Sequence, residues 1–205
     1  MASQESVLQR IAACLPLANA AWSGPLGEGG WPQAAVLVAL TTEEEPRVLL
    51  GRRAMHLPLH PGEIAFAGGK RELEDDSPWQ TALRETWEEV GLPQQLIVPL
   101  GELEPLITRT GFEVFPCVAS VPADPELVVD PGEFDNVFFT RLAVFADPDI
   151  FRLETMFDGE RDRRVPHYQV EDDNVWGVTA AILAQLANVA YDAGFDLQRD
   201  WKVQP

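Results

Sequence analysis

The chain has 205 residues, of which 46% are hydrophobic and 23% charged, proportions that suit one globular domain with a core needing no disulfide or metal staple. Asp and Glu number 33 against 15 Lys and Arg, and the resulting charge of −18 repels polyphosphate backbones and anionic lipid, excluding nucleic acid and membrane surfaces as partners. Two cysteines, Cys14 and Cys117, are too few for a disulfide framework or a structural zinc site, so the expected compartment is the reducing cytoplasm.

In chain order, residues 1–33 read as an N-terminal helix and a linker. Ser3 is expected to cap an amphipathic helix carrying Val7, Ile11 and Leu15. The apolar run from Ile11 before Ala18-Asn19-Ala20 imitates a signal peptide, but it is short, contains Pro16 and follows Glu5 rather than a basic start. A Gly/Pro-rich linker (24–32) leads to a strand over 34–40, an acidic turn and a second strand from Arg47, together a hairpin. Residues 54–62, with two His, two Pro and a Gly, read as a loop. A short strand, Ile64-Ala65-Phe66, runs into Gly68-Gly69, and a helix is expected over 78–90. Further strands are expected over 96–100, 112–120, 137–140 and 151–156. The charge-free stretch 174–191 reads as a packed helix ending at Gly194 rather than a membrane span, because it holds Gly177, Thr179, Gln185 and Asn188. Few helices among many strands imply a mixed sheet with a helix packed on each side, a single α/β domain over 1–205.

The helix over 78–90 carries the chemistry. Ser77 is a cap, Pro78 fits the first helical position, Gln80 completes a capping box, and Gly91 fits a left-handed terminus. Trp79, Leu83, Thr86 and Val90 form the expected buried stripe, and Glu85, Glu88 and Glu89 one acidic face. An acidic face alone is an ordinary solvated surface. Three clustered carboxylates repel each other, however, and a hard divalent cation relieves that repulsion, with Gly68-Gly69 letting a backbone carbonyl approach.

Residues 69–92 resemble the Nudix box, the signature of hydrolases acting on nucleoside diphosphates linked to another moiety. Gly69 is followed by Asp75 and then by Arg84-Glu85-Thr86-Trp87-Glu88-Glu89-Val90-Gly91-Leu92. Eight residues rather than seven separate Asp75 from Arg84, and Thr86 stands where the family has an aliphatic residue; using Asp76 would restore one spacing and break the other. The added residue resembles the coenzyme A diphosphatase subgroup, as do Leu49-Leu50-Gly51-Arg52-Arg53-Ala54, Gly62 and Phe66-Ala67-Gly68-Gly69. Gly51, Pro58 and Ala67 depart from that subgroup's Thr, Arg and Pro. The segments 107–112 and 176–180 also look like it.

The resemblance implies an α/β/α sandwich in which Glu85, Glu88, Glu89 and the Gly69 carbonyl hold Mg²⁺ or Mn²⁺. Arg84 would orient the box through Asp75 or Glu72, or else form an ordinary helix pair with Glu88. Glu133, after Pro131-Gly132, is the candidate general base, a solvated turn residue being the alternative. Arg52, Arg53 and Arg109 are candidate phosphate binders, surface ion pairs being theirs. His56, His60 and His167 read as polar loop or strand residues, and Phe112 and Trp176 as core rather than base-stacking. The expected substrate is a small nucleotide diphosphate, coenzyme A or a thioester first, ADP-ribose or a dinucleotide second. A ligand-binding regulator without turnover is the rival class, and a homodimer stays an open option.

Overall fold

In the computed structural model, which describes residues 6–16, 21–22, 24, 31–108, 110–157, 159 and 162–197, the chain opens on helix α1 (Val7–Cys14). Ser6 caps it, accepting the Gln9 N–H while the Gln9 side chain accepts the Ser6 N–H. The cap expected at Ser3 lies outside the described residues, and Ser6 takes the part.

Strands β1 (Gln33–Thr41) and β2 (Arg47–Arg53) form the expected hairpin, with Leu40 opposite Val48. There follow β3 (Ile64–Ala65), β4 (Gly68–Lys70), helix α2 (Pro78–Val90), β5 (Val98–Glu102), β6 (Leu106–Ile107), β7 (Glu113–Val121), β8 (Phe134–Arg141), β9 (Phe151–Phe157), β10 (Asp162–Val170), β11 (Asp173–Trp176) and helix α3 (Gly177–Tyr191). Eight strands make a mixed sheet along the path β3-β2-β1-β7-β5, with β4 beside β1, β6 beside β7 and β8 beside β2. β1 and β7 run parallel from Gln33–Glu113 to Thr41–Val121, and the other pairs are antiparallel. Both central strands are covered on both faces, which is why each reads as a nearly unbroken apolar run.

Two apolar layers flank the sheet. Ala35, Leu37 and Ala39 face α2 through Trp79, Ala82 and Val90, whereas Val38 and Leu40 face Ile11 of α1 and the Ala180–Ala187 core of α3. This is the expected α/β/α sandwich. α3 ends at Asp192, in the left-handed conformation, two residues before the Gly194 terminus read from sequence. No described helix is long and apolar enough to cross a membrane.

One addition was not anticipated. β9, β10 and β11 form a second sheet, and residues 162–176 gave no strand signal because they mix Arg163, Arg164, Pro166 and His167 with acids. Pairing to β9 and burial of Tyr168 against Phe145 supply what local propensity does not.

Candidate active site

α2 has the bounds and caps that its sequence predicts. Ser77 accepts the Gln80 N–H, Pro78 begins the helix, and Gly91 ends it at φ 64°. The Gln80 side chain departs from the expected capping box, because it accepts the Asp76 N–H at 2.6 Å instead of turning back to Ser77.

β4 brings the glycine pair under this helix, with Ala35 opposite Gly69 and Val36 opposite Gly68. A Cβ at Gly68 would collide with the Ala35 carbonyl, and one at Gly69 would lie 2.5 Å from the Glu85 carboxylate. Gly68 is therefore required, because its obstacle is backbone, and a side chain at position 69 would have to displace the Glu85 carboxylate.

Those acids lie at different depths on the acidic side of α2. Glu89 is 5% exposed, Glu85 is partly buried, and Glu88 is open to solvent. The Glu89 carboxylate accepts the Gly68 N–H at 2.8 Å. Burial drives its pKa up to about 8; the Gly68 hydrogen bond and Arg53 oppose the rise, and the charges of Glu85 and Glu133 add to it. Burial also raises Glu85, against the pull of Arg84.

Arg84 makes both of the pairings that the sequence set as alternatives, to Asp75 and to Glu88. Its Nη2 and Nε fork onto Asp75 at 3.0 and 3.3 Å, its Nη1 meets Glu85 at 3.0 Å and Glu88 at 3.1 Å, and Glu72 stands farther off at 3.9 Å. Asp75 is buried and also accepts the Thr81 hydroxyl and the Glu72 N–H. Burial works against its ionised form, yet the bonds from Arg84, Thr81 and Glu72 prevail and hold the carboxyl below its ordinary range. Asp76 is exposed, so the lengthened spacing is the one the fold uses.

Glu133 reaches the same neighbourhood through the C-terminal end of α2. The Val128 and Asp130 amides donate to the Val90 and Glu89 carbonyls, and a turn at 131–133 follows. Arg53 Nη2 stands 3.5 Å from the Glu133 carboxylate. Arg52, its neighbour on β2, is turned elsewhere, its Nη2 donating to both carboxylate oxygens of Asp173 on β11 at 2.6 and 2.8 Å. Asp173 was not singled out in the sequence, and its separation of 121 residues from Arg52 leaves no local signal. Arg109 lies outside the described residues.

The histidines behave as polar structural residues. His56 is exposed, His60 pairs with Glu63 at 3.0 Å, and His167 is buried between Asn174 and Glu154. Phe112 and Trp176, expected in the core, are only partly buried. Lys70 Nζ sits over the Phe112 ring, and Trp176 stacks on His167.

The donor set suits a hard cation: three carboxylates, two of them desolvated and raised in pKa, beside the glycine backbone of β4. In the conformation described, Glu85 and Glu88 are turned to Arg84, and among the described residues no three His, Cys, Asp or Glu groups converge on one point. Each of the two bonds Arg84 through one carboxylate oxygen, which leaves the other oxygen for a cation.

Comparison with known proteins agrees with this geometry. The family model described as the NUDIX domain matches residues 31–158. The chain is 38% identical over 160 residues to the uncharacterized Nudix hydrolase NudL of Yersinia enterocolitica, a match spanning 75% of this chain and 79% of the relative. To the protein of that name from Enterobacter sp. it is 36% identical over 160 residues, covering 76% and 81%. Among solved structures, a MutT/nudix family protein from Enterococcus faecalis superimposes with a TM-score of 0.51 at 20% identity, over 83% of this chain and 66% of that one. That likeness speaks to the fold alone.

Proposed function

The chain belongs to the Nudix family, and from that premise we propose that it is a diphosphatase for coenzyme A or its thioesters, yielding 3′,5′-ADP and 4′-phosphopantetheine or its acyl form. Family membership gives the coarser statement, a Nudix hydrolase acting on a nucleoside diphosphate derivative. The observation that carries the finer one is the lengthened box, since Asp75, with eight residues between it and Arg84, is the carboxylate taking its fork. By resemblance, that lengthening goes with the coenzyme A subgroup.

In this reading Glu85, Glu88, Glu89 and the Gly69 carbonyl hold Mg²⁺ or Mn²⁺. When bound, such a cation offsets the diphosphate charge and lowers the pKa of an attached water. The chain's own residues do the rest. The Gly68 N–H fixes the Glu89 carboxylate. Asp75 anchors the guanidinium of Arg84, which keeps Glu85 and Glu88 within reach. Glu133 takes the proton of the attacking water, steered by Arg53. Arg52 and Arg53 are held by separate partners, so one phosphate takes only one of them, and we assign it to Arg53, which lies beside the box acids. Free Cys14 and Cys117 accord with a cytoplasmic setting.

The exposed Pro58, in place of the subgroup's second Arg, favours a second reading, ADP-ribose or a dinucleotide. The test is kcat/KM for coenzyme A, dephospho-coenzyme A and ADP-ribose at one Mg²⁺ concentration, with both products identified by mass. One charge-assisted contact to the 3′-phosphate gives coenzyme A about a tenfold advantage over its dephospho form. A tenfold preference for ADP-ribose overturns the coenzyme A assignment, and nucleotide binding without turnover in excess Mg²⁺ makes the chain a regulator.

A further inference from the structure

The loop between β4 and α2 is held from outside by residues that precede the sheet. Residues 72–74 of that loop are exposed, whereas Asp75 is buried. The Trp22 indole N–H donates to the Asp75 backbone carbonyl at 2.9 Å, across 53 residues of sequence. Asp75 is thus gripped at both ends, its carbonyl by Trp22 and its carboxylate by Arg84, Thr81 and the Glu72 N–H.

The indole is itself wedged in place. It meets the buried Phe115 ring of β7 edge to face, with centroids 5.2 Å apart and planes at 86°. The Arg71 guanidinium lies 4.9 Å from the centroid of the Trp22 ring. Arg71 Nη1 also donates to the Gly24 carbonyl and to the Gln33 side chain, each at 2.8 Å, and the Arg71 N–H donates to the Gln33 carbonyl at 3.0 Å. One arginine, the residue that follows β4, therefore ties Trp22 and Gly24 to the first residue of β1. A cation over one ring and a second ring edge to face with it fix the plane of the indole, and so the direction of its single N–H. From this clasp the route to the acids is continuous. Trp22 holds the Asp75 carbonyl, Asp75 takes the fork of Arg84, and Arg84 holds Glu85 at 3.0 Å and Glu88 at 3.1 Å.

We propose that Trp22, clasped by Arg71, is a positioning residue of the hydrolytic site: it sets Asp75, and through Asp75 and Arg84 the carboxylates Glu85 and Glu88. The inference deepens the reading of the box as a metal-dependent hydrolase site and rests on it. Its mark falls on metal affinity and kcat rather than on substrate affinity.

The experiment compares the full chain with Trp22→Phe, which keeps a ring for Phe115 and Arg71 but has no N–H to donate. Two readings are taken well below the melting temperature of either protein: Mn²⁺ affinity by calorimetry without nucleotide, and turnover of coenzyme A and of ADP-ribose. Loss of one hydrogen bond is expected to weaken Mn²⁺ and lower kcat by about three- to tenfold, with KM unchanged. Because the effect passes through Asp75, adding Trp22→Phe to Asp75→Asn is expected to lower kcat by about twofold at most. Arg71→Gln, which frees the indole without removing its N–H, is expected to give a smaller loss of the same kind, and it decides the question should Trp22→Phe fail to fold. Wild-type Mn²⁺ affinity and kcat in the folded variant overturn the proposal, whatever its melting temperature, and so does a full further loss in the Asp75→Asn background. If the wild type binds Mn²⁺ but cleaves neither nucleotide, the hydrolase reading fails, and the Mn²⁺ affinities alone decide whether Trp22 positions the box.

Discussion

Asp75 and Arg84 meet as a two-point fork, with Nη2–Oδ2 at 3.0 Å and Nε–Oδ1 at 3.3 Å, across the start of the helix that bears the acids. Because Asp75 is buried, removing its charge strands a guanidinium that also holds Glu85 and Glu88. Asp75→Asn is expected to destabilise the fold by about 3 kcal/mol at neutral pH. The carboxyl is depressed in the folded chain, so its contribution is present above the unfolded value and is lost as pH falls through the folded one. Denaturant midpoints of wild type and variant should therefore stay apart down to about pH 4 and converge below it. Parallel midpoints at all pH values would deny the fork an ionic role.

Glu89 has the opposite sign. With a folded value near 8 against an ordinary 4.5, the metal-free folded chain keeps a proton that the unfolded chain releases. Its stability is full below about 4.5 and declines as pH rises through about 8. Glu89→Gln should flatten that decline, making the variant the more stable protein at pH 8 without metal, while kcat falls roughly a hundredfold. Thermal melts in chelator at pH 6 and 8, beside turnover at saturating Mg²⁺, check both halves.

Chelation by EDTA is expected to abolish turnover and leave the near-ultraviolet dichroism of the chain intact. Two apolar layers hold the sheet without a metal. Collapse of the spectrum in EDTA would make the cation a structural element instead.

Thr86 is fully buried in the stripe of α2, and its hydroxyl has no hydrogen-bond partner among the described residues. Replacing a stranded hydroxyl by a methyl removes a desolvation cost, so Thr86→Val should stabilise the chain by about 1 kcal/mol and leave kcat unaltered. A lower melting temperature would mean that the hydroxyl is satisfied in solution.

Glu133→Gln is expected to lower kcat with little change in KM, and Arg53→Ala to shift the alkaline and acidic limbs of the pH–rate profile less than it alters KM. If Glu133→Gln turns over like the wild type, the base lies elsewhere.

The box helix was legible to the residue, because Ser77, Pro78 and Gly91 punctuate it locally. Its acids were legible by type and spacing, but not by depth. A helical wheel puts Glu85, Glu88 and Glu89 together, and it takes the arrival of β4 to bury one and leave another in water. Likewise Arg52 and Arg53 read as a pair, whereas the fold gives them separate partners, Asp173 of β11 and Glu133, across an irregularity in the β2–β8 pairing. The loss of the subgroup's Thr at Gly51 also has a spatial cause, since the Phe134 ring occupies the place of a Cβ there.

The register of β1 against β4 and β7 has a consequence for synthesis of the chain. Gln33 and Glu113 are partners 80 residues apart, and β1, which carries β4 on one edge, stays unpaired on the other until β7 arrives. Contacts this distant close late and govern folding speed. A chain emerging from the ribosome therefore exposes its entire box while still lacking the floor that orients it. In the proposed mechanism competence waits for residues 113–121 to enter the sheet and for Glu133 beyond them, well after the last acid of the box has been made.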